Sequence, residues 1–448
     1  MASPVPSPKF ILRGHKAAVH AATFIRQNER LVTGDSEGFV VLWDLTVMRP
    51  RAVWRAHENA ILGVRGWGED KLITSFLGSM ARSHCRRHGR DHKLIVWKIA
   101  RGDESGLSTV LPLDGVDVER RRPWVVHLLE VNTMNFCSFA ACPLEDSQYS
   151  PFLGTSPEIL VAVPNTLASE SVDIYTLPSQ TRAYTVQPGP KNGMAMSLSL
   201  THLEKRLTLV AAFENGYASV HRLTPEGSWV TTYRTQAHSQ PILSLDLRPD
   251  LKCFFTSGAD AIVAKHPIPT APQEVAKPFN PSERVIEEID EDPKQNSSLL
   301  SSTSKPGYAK EKDHDAVLEE WKHPRKVTNT KHSGQQSLEV RSDGAIFATA
   351  GWDSKIRLYS CKSLKELAVL KWHKDGAYAV TFSDVGPETS QTVDTDREAQ
   401  VGCEVQQADD AIDVSRLSVQ DRRIHRVKAA HWVAAGAKDG KVSLWDMY

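Results

Sequence analysis

A unit of about 40 to 45 residues repeats along this chain, and a period of that length restricts the fold more than any other feature. Its plainest copy runs from Arg13-Gly14-His15 through Leu31-Val32-Thr33-Gly34 and Glu37-Gly38 to Val40-Val41-Leu42-Trp43-Asp44. A second joins Ala56-His57 to Asp91 and Leu94-Ile95-Val96-Trp97. Another joins Lys331-His332 to Phe347-Ala348-Thr349-Ala350-Gly351, Asp353 and Ile356-Arg357-Leu358-Tyr359. The last starts at Trp372-His373 and ends in the run Ala435 to Asp446. A polar turn residue stands six positions before a ring residue in each: Glu37 and Trp43, Asp91 and Trp97, Asp353 and Tyr359, Asp439 and Trp445. A short apolar run, a tight glycine turn and an alternating return run make a hairpin. One such unit cannot bury its own faces, so copies must stack on one another.

The pattern resembles the WD-repeat family. The resemblance implies an all-β, seven-bladed propeller of four-stranded antiparallel blades. It also implies a buried hydrogen-bond set in each blade, joining a Gly-His imidazole, a Ser or Thr hydroxyl, the turn Asp and the Trp. The matching sets are His15, Thr33, Glu37 and Trp43; His57, Asp91 and Trp97; His332, Thr349, Asp353 and Tyr359; and His373, Asp439 and Trp445. Arg87 and Ala435 fall where the second and last sets call for a hydroxyl. Weaker copies fill the interval. One runs from Trp124 to Leu177, one includes Leu207 to Gly216 with His221 as its ring residue, and one follows His238 through Thr256 to Asp260. Lys9-Phe10-Ile11-Leu12 precedes the first Gly-His and is expected to supply the outer strand of the last blade, closing the ring.

By length alone, 448 residues suggest about three domains. The repeat replaces that with one propeller over 9–448, and seven blades need only about 300 residues. The surplus is expected in insertions. Residues 269–325, rich in Pro, Ser and charge, read as a disordered loop between blades 5 and 6. Residues 385–422 form an acidic insertion within blade 7, and residues 77–87 lengthen blade 2 with basic character. The stretch Asp315 to Trp321 reads as a short amphipathic helix suited to recognition.

Lys plus Arg and Asp plus Glu both number 54, so the net charge is zero, which disfavours a generic nucleic-acid binder. The N-terminal stretch lacks a secretory pattern, and no apolar run is long enough to span a membrane. Six scattered cysteines without a Cys-x-x-Cys pair read as reduced structural thiols of a cytosolic or nuclear protein. Neither a phosphate-binding glycine loop nor a nucleophile elbow occurs. His84, Cys85, His88 and His92 stand among arginines that would repel a cation, so they read as a solvated basic loop and no metal or cofactor is expected. The repeated Asp, His and hydroxyl sets are spread singly over separate blades, which favours structure over catalysis. Arg82, Arg86, Arg87, Arg90 and Lys93, with Arg120-Arg121-Arg122, form basic stretches without the interleaved aromatics of a base-stacking surface.

Propellers of this family often bind peptides at the central opening through residues just before each turn acid. Those positions are Ser36, Arg90, Glu214, Ala259, Trp352 and Lys438. Trp352, Arg90, Lys438 and Ser36 are the expected partner contacts, with Trp352 as the anchor because interface hot spots favour Trp and Arg. The segments Phe10 to His15, His88 to Trp97, Val131 to Phe139 and His431 to Gly440 are similar to the fungal ASTRA-associated WD-repeat proteins, relatives of the animal G-protein-β-like subunit-like proteins. That resemblance implies a non-enzymatic, nuclear scaffold subunit of a chromatin-associated assembly, connected with maturation of phosphatidylinositol-kinase-like kinases. Its partners would be protein subunits, with neither sequence-specific nucleic acid nor membrane. Two other classes remain: a G-protein β-like signalling subunit, which needs a helical N-terminal arm, and a cullin-ligase substrate receptor. The receptor's usual Trp-Asp-x-Arg signal is missing, since Thr46 follows Trp43-Asp44-Leu45.

Overall fold

The computed structural model describes residues 6–76, 93–115, 118–132, 136–145, 157–275, 317–385 and 418–447. They build seven four-stranded antiparallel blades in chain order. Blade 1 spans Val19 to Arg55, blade 2 Ile61 to Glu130, blade 3 Ala140 to Val186 and blade 4 Ala195 to Gln236. Blade 5 runs from Ile242 to Asn329, blade 6 from Gln335 to Lys371 and blade 7 from Ala377 to Asp446. In each blade the first strand in sequence faces the axis, where first strands of adjoining blades pack side by side.

The ring closes as the sequence suggests. Phe10–Arg13 pairs antiparallel with Lys441–Asp446, setting Phe10 against Leu444 and Leu12 against Val442. The N-terminal strand thus becomes the outer edge of blade 7.

The apolar interior is divided into wedges between neighbouring blades, as expected of units that cannot bury their faces alone. Between blades 1 and 2, for example, Val32, Val40, Leu42 and Trp54 meet Ile61, Leu72, Ile95 and Trp97. Trp54 and Trp97 pack edge to face at 6.1 Å. The blade 7–1 wedge joins Leu12, Trp432, Val442 and Leu444 to Val19, Leu31, Trp43 and Val53. Second strands lie between two such wedges, so Arg30–Asp35 and Cys253–Gly258 are buried along their whole length. The ring residue of the repeat marks a bulge against the outermost strand in five blades, at Trp43, Trp97, Tyr175, His221 and Tyr359. The extra residue re-aims the bulky ring into the blade.

Several expectations need correction. Trp124–Glu130 is the outermost strand of blade 2, not the start of blade 3, which begins at Ala140. Its distance in sequence from Lys93–Lys98, its partner, disguised it. The intervening connection first crosses the outside of blade 1. There Glu104 accepts from Arg26, Arg30 and Arg51, and Val53 N donates to Ser108 O at 2.7 Å.

The ends of the 269–325 insertion are ordered. Gln273–Val275 pairs with Val317–Glu319, and Lys326–Asn329 supplies the outermost strand of blade 5. The segment expected as an amphipathic helix is extended over residues 317–319, because it finds strand partners. Residues 276–316 lie outside the described residues.

The insertion within blade 7 ends in a helix, α1, which occupies Val419–Ala429 just before the strand Trp432–Ala437, and residues 386–417 lie outside the described residues. Ser418 caps it by accepting from Asp421 N at 3.1 Å, and Arg426 and Lys428 face the negative helix end. α1 docks by Val427 on the blade 7–1 wedge and by Lys428 on Glu29 at 3.1 Å.

Closure is testable by substitution. Leu12 is buried in the 7–1 wedge while the neighbouring Arg13 is exposed. Leu12→Ala is expected to lower the unfolding free energy by about 2–5 kcal/mol. Arg13→Ala should change it by about 0.5 kcal/mol or less. Urea unfolding of the two variants checks this, and equal losses would mean that the strand adds little to the ring.

Candidate functional site

The repeat's polar residues come together inside the blades, though not always as the spacing suggests. In blade 1, Trp43 Nε1 donates to Thr33 Oγ1 at 2.8 Å and His15 Nε2 lies 2.7 Å from the same hydroxyl. His15 Nδ1 meets Asp35 Oδ2 at 2.7 Å. Asp35, not Glu37, is therefore the acid of this set. It ends its strand fully buried, and its other oxygen accepts from the amides of Glu37 and Phe39. Glu37 contributes only its backbone to this turn.

In blade 2, His57 Nε2 and Trp97 Nε1 share the hydroxyl of Thr74 at 2.7 and 2.9 Å. Counting back from Asp91 pointed to Arg87 because the inserted residues shift the count. Asp91 and Arg87 lie outside the described residues.

Blade 7 solves the missing hydroxyl differently. Ala435 stands opposite Ser443 in the sheet register, and Ser443 Oγ serves both His373 Nε2 (2.8 Å) and Trp445 Nε1 (2.9 Å). Asp439 is 3.6 Å from His373 Nδ1.

Blade 6 departs furthest. Gln335 is buried and donates to Thr330 Oγ1 and His332 O, which leaves His332 turned outward and 3.9 Å from Asp353. The buried Arg357 takes the Asp353 carboxylate instead, at 2.6 and 3.1 Å. Burial opposes ionisation of Asp353, but the Arg357 bond and charge outweigh it and hold the carboxyl below its usual range. Thr349 and Tyr359 stay buried, with Tyr359 stacked on Phe347 at 5.1 Å.

These sets are internal clamps. Each hydroxyl is occupied by a ring on either side in blades 1, 2 and 7, so none is poised as a nucleophile. Among the described residues, no group of three or more His, Cys, Asp or Glu could hold a metal ion. Cys137 is buried, Cys142, Cys253 and Cys361 are buried free thiols, and burial pushes Cys142 and Cys361 up to about 12. Cys85 and Cys403, like His84, His88 and His92, lie outside the described residues. No helix among the described residues is long and apolar enough to cross a membrane.

Three of the four expected partner contacts fall on one arc of the rim, over blades 6, 7 and 1. Trp352 is 49% exposed and lies flat on Gly334, whose φ of +74° and missing Cβ admit the ring. Its Nε1 donates to Gln336 Oε1 at 2.9 Å. Gly376 follows directly. A Cβ there would sit 3.1 Å from Trp352 O, and its carbonyl accepts from Lys438 N at 2.9 Å. Tyr378 stacks on His20 of blade 1 at 5.0 Å, and Ser36 N donates to Ala18 O at the end of the arc. Arg90 lies outside the described residues. Glu214 lines a separate hollow of about 520 Å³ with Tyr217, Gln236 and Gln240.

Facing the axis, carboxylates stitch blade to blade. Asp246 of blade 5 accepts from Val340 N at 2.7 Å in blade 6. Glu339 of blade 6 accepts from Phe382 N (2.7 Å) and Thr381 Oγ1 (2.9 Å) in blade 7. Burial, then the charge of Asp246 and further that of Asp384, push the Glu339 carboxyl up to about 8. Arg65 of blade 2 interacts electrostatically with both acids from across the axis.

Comparison with known proteins agrees with this architecture. The family profile "WD domain, G-beta repeat" matches residues 6–44 and 325–360. ASTRA-associated protein 1 of Verticillium alfalfae is 48% identical over 446 residues, covering 99% of this chain and 93% of that protein. The protein of the same name from Pyricularia oryzae is 43% identical, covering 100% and 99%. The chain belongs to the ASTRA-associated protein 1 family. A more distant member, from Schizosaccharomyces pombe, is 30% identical over 84% of this chain and 94% of its own.

In this member of the ASTRA-associated protein 1 family, the blade 5 copy from His238 through Thr256 to Asp260 forms a complete clamp with a ring residue, His266, that the repeat reading left out. In blade 5, His238 bridges Asp260 (2.9 Å) and Thr256 (2.8 Å). Thr256 also meets His266 Nε2 at 2.8 Å, and His266 Nδ1 meets the Tyr233 hydroxyl of blade 4 at 2.8 Å. Burial, then the charge of His238, hold His266 well below the ordinary imidazole value. The signal was present: His266 stands six positions after Asp260, the interval of the other ring residues. A histidine ring simply replaces the indole, as His221 does in blade 4 beside Ser219 (2.7 Å).

Two outcomes follow. Ser443→Ala strands two buried ring nitrogens and should cost about 1–3 kcal/mol. Adding Ala435→Ser, which offers a hydroxyl from the facing register position, should recover at least part of that in urea unfolding. A carboxyl whose pKa rises on folding contributes most below its unfolded value, near 4.5 for Glu339, and that contribution fades as pH climbs toward about 8. Glu339→Gln should therefore gain in Tm relative to the unsubstituted protein between pH 5 and pH 8. A constant difference across that range would show that Glu339 does not titrate there.

Proposed function

We propose that the chain is a non-enzymatic scaffold subunit of a nuclear, chromatin-associated ASTRA assembly, and that it is linked to the assembly of phosphatidylinositol-kinase-like kinases. The supporting observation is the arc over blades 6, 7 and 1. A half-exposed Trp352 on a glycine platform is followed by the Lys438 and Ser36 turns on a rigid ring. An indole fixed in place and open on one face gives a partner large contact area at small entropic cost. The histidines and hydroxyls that resemble catalytic groups are committed to clamping the blades. The relatives are named for association with ASTRA, and the reading extends that association to this chain.

Affinity purification of the tagged full-length chain from nuclear extract tests the reading. Chromatin-complex and kinase-assembly subunits are expected, and recovery of Gγ-like or cullin-adaptor chains in their place would overturn it. Trp352→Ala combined with Arg90→Ala should reduce recovery of the direct partner by about tenfold or more while leaving Tm unchanged, in line with hot-spot losses of about 2 kcal/mol. Undiminished recovery from the folded double variant would remove the arc from the interface.

A further inference from the structure

The outermost strand of blade 2, Trp124–Glu130, is unusual among the blade edges. Trp124 is 72% exposed, Val125 45%, Val126 39% and Leu128 41%. Elsewhere on the ring an outer strand is exposed through one large apolar side chain at most, such as Leu367 in blade 6 or Val327 in blade 5. Its inner neighbour is Lys93–Lys98, and among the described residues no strand pairs with its other side. Bare apolar edges invite strand addition, and soluble proteins ordinarily blunt or cover them.

This chain shows how it covers two other edges. Along blade 4, Trp321 returns from the insertion to the outermost strand Trp229–Gln236. Arg234 N donates to Trp321 O and Trp321 N donates to Thr232 O, both at 2.9 Å. Along blade 1, the 104–111 connection covers the outermost strand through Val53 N to Ser108 O and through Leu107 packed on the 1–2 wedge. Blade 2 has the most apolar edge and no such cover among the described residues.

Charge distinguishes the two ends of the bare strand. Trp124 pairs with the exposed Lys98, and the exposed Arg121 and Arg122 precede it across the buried Pro123. These two arginines also line a hollow of about 530 Å³ with Phe39, Arg55, Val118, Glu119 and Arg120. Arg120 is spent on the carbonyls of Val110, Leu111, Gly115 and Val118, and Glu119 is the one acid in the lining. The opposite end of the strand carries Glu130, paired across the sheet with Lys93.

We propose that Trp124–Glu130 is a docking edge. It accepts one extended segment of another protein as a fifth strand of blade 2, with apolar residues against Trp124 on one face and Val125 and Leu128 on the other, and an acidic end against Arg121, Arg122 and Lys98. Main-chain pairing supplies affinity in this mode, and the apolar and basic contacts select the sequence and its direction. The edge is distinct from the Trp352 arc, so one ring can hold two partners at once.

The test places the photo-crosslinker benzoylphenylalanine at position 126 of the tagged full-length chain, purified with its co-purifying subunits. The expected crosslink maps to one segment of another polypeptide with apolar residues on both faces of an extended stretch and acids at one end. The same segment, synthesised as a peptide, should bind the purified chain. Trp124→Asp, or Arg121→Glu with Arg122→Glu, should weaken that binding tenfold or more, and Trp352→Ala should leave it unchanged. All four positions are exposed, and matched melting curves confirm that the variants fold. Crosslinks confined to this chain or to a second copy, no crosslink at all, a segment without acids, or peptide binding indifferent to Trp124→Asp would each overturn the proposal. The Trp352→Ala arm separates this outcome from failure of the rim reading.

Discussion

Everything in this molecule depends on the seam where Phe10–Arg13 pairs with Lys441–Asp446. A propeller blade has no interior of its own, and each apolar wedge exists only between two blades. An open ring would leave two blade faces bare and two strand edges unpaired. Sealing it with strands from opposite ends of the chain makes the last blade depend on the first. The same seam collects other long-range contacts. α1 docks Val427 in its wedge, and Asn28 exchanges hydrogen bonds with the backbone of Asp384.

Inside the closed ring, polar clamps do what apolar packing alone does not: they fix the register of strands within a blade. A hydroxyl held between an imidazole and an indole is satisfied only in one alignment, and a slip would strand several buried groups. The clamp tolerates changes of chemistry as long as each buried group keeps a partner. Asp35 acts where Glu37 was expected, Ser443 covers for Ala435, His266 replaces an indole, and Arg357 replaces His332 at Asp353. Around the axis Asp246 and Glu339 perform the matching task between blades. Because these groups are committed to holding the ring, the surfaces left open to partners among the described residues are its rim and its edges. A rigid ring can present the Trp352 arc and the Trp124 edge to different partners without changing shape.

Much of this was legible before any coordinates. The six-residue interval, the Gly-His pairs and the run at Lys9 to Leu12 carried the seven blades and their closure, because hairpin geometry is local and tightly tied to spacing. Trp352 was legible as a rim residue through the family resemblance, which places the residue before each turn acid at the central opening. The misplacements occurred where pairing is long-range. Trp124–Glu130 is separated from its partner by a connection that wraps blade 1. Asp315 to Trp321 has helical periodicity in isolation, yet its described part becomes extended because partner strands accept it. Glu104 gives no sign in sequence of collecting Arg26, Arg30 and Arg51.

The sequence by itself carried the number of repeats and the closing strand, which follow from short-range periodicity, and through its resemblance to the WD-repeat family it implied the fold class. Only the tertiary structure decided which hydroxyl, acid or ring completes each clamp, because a buried polar group takes whatever partner lies within about 3 Å, whatever its distance along the chain. It likewise decided which edges are covered and which are bare. Exposure is a property of what folds back onto a strand, and the strand's own residues do not carry that information.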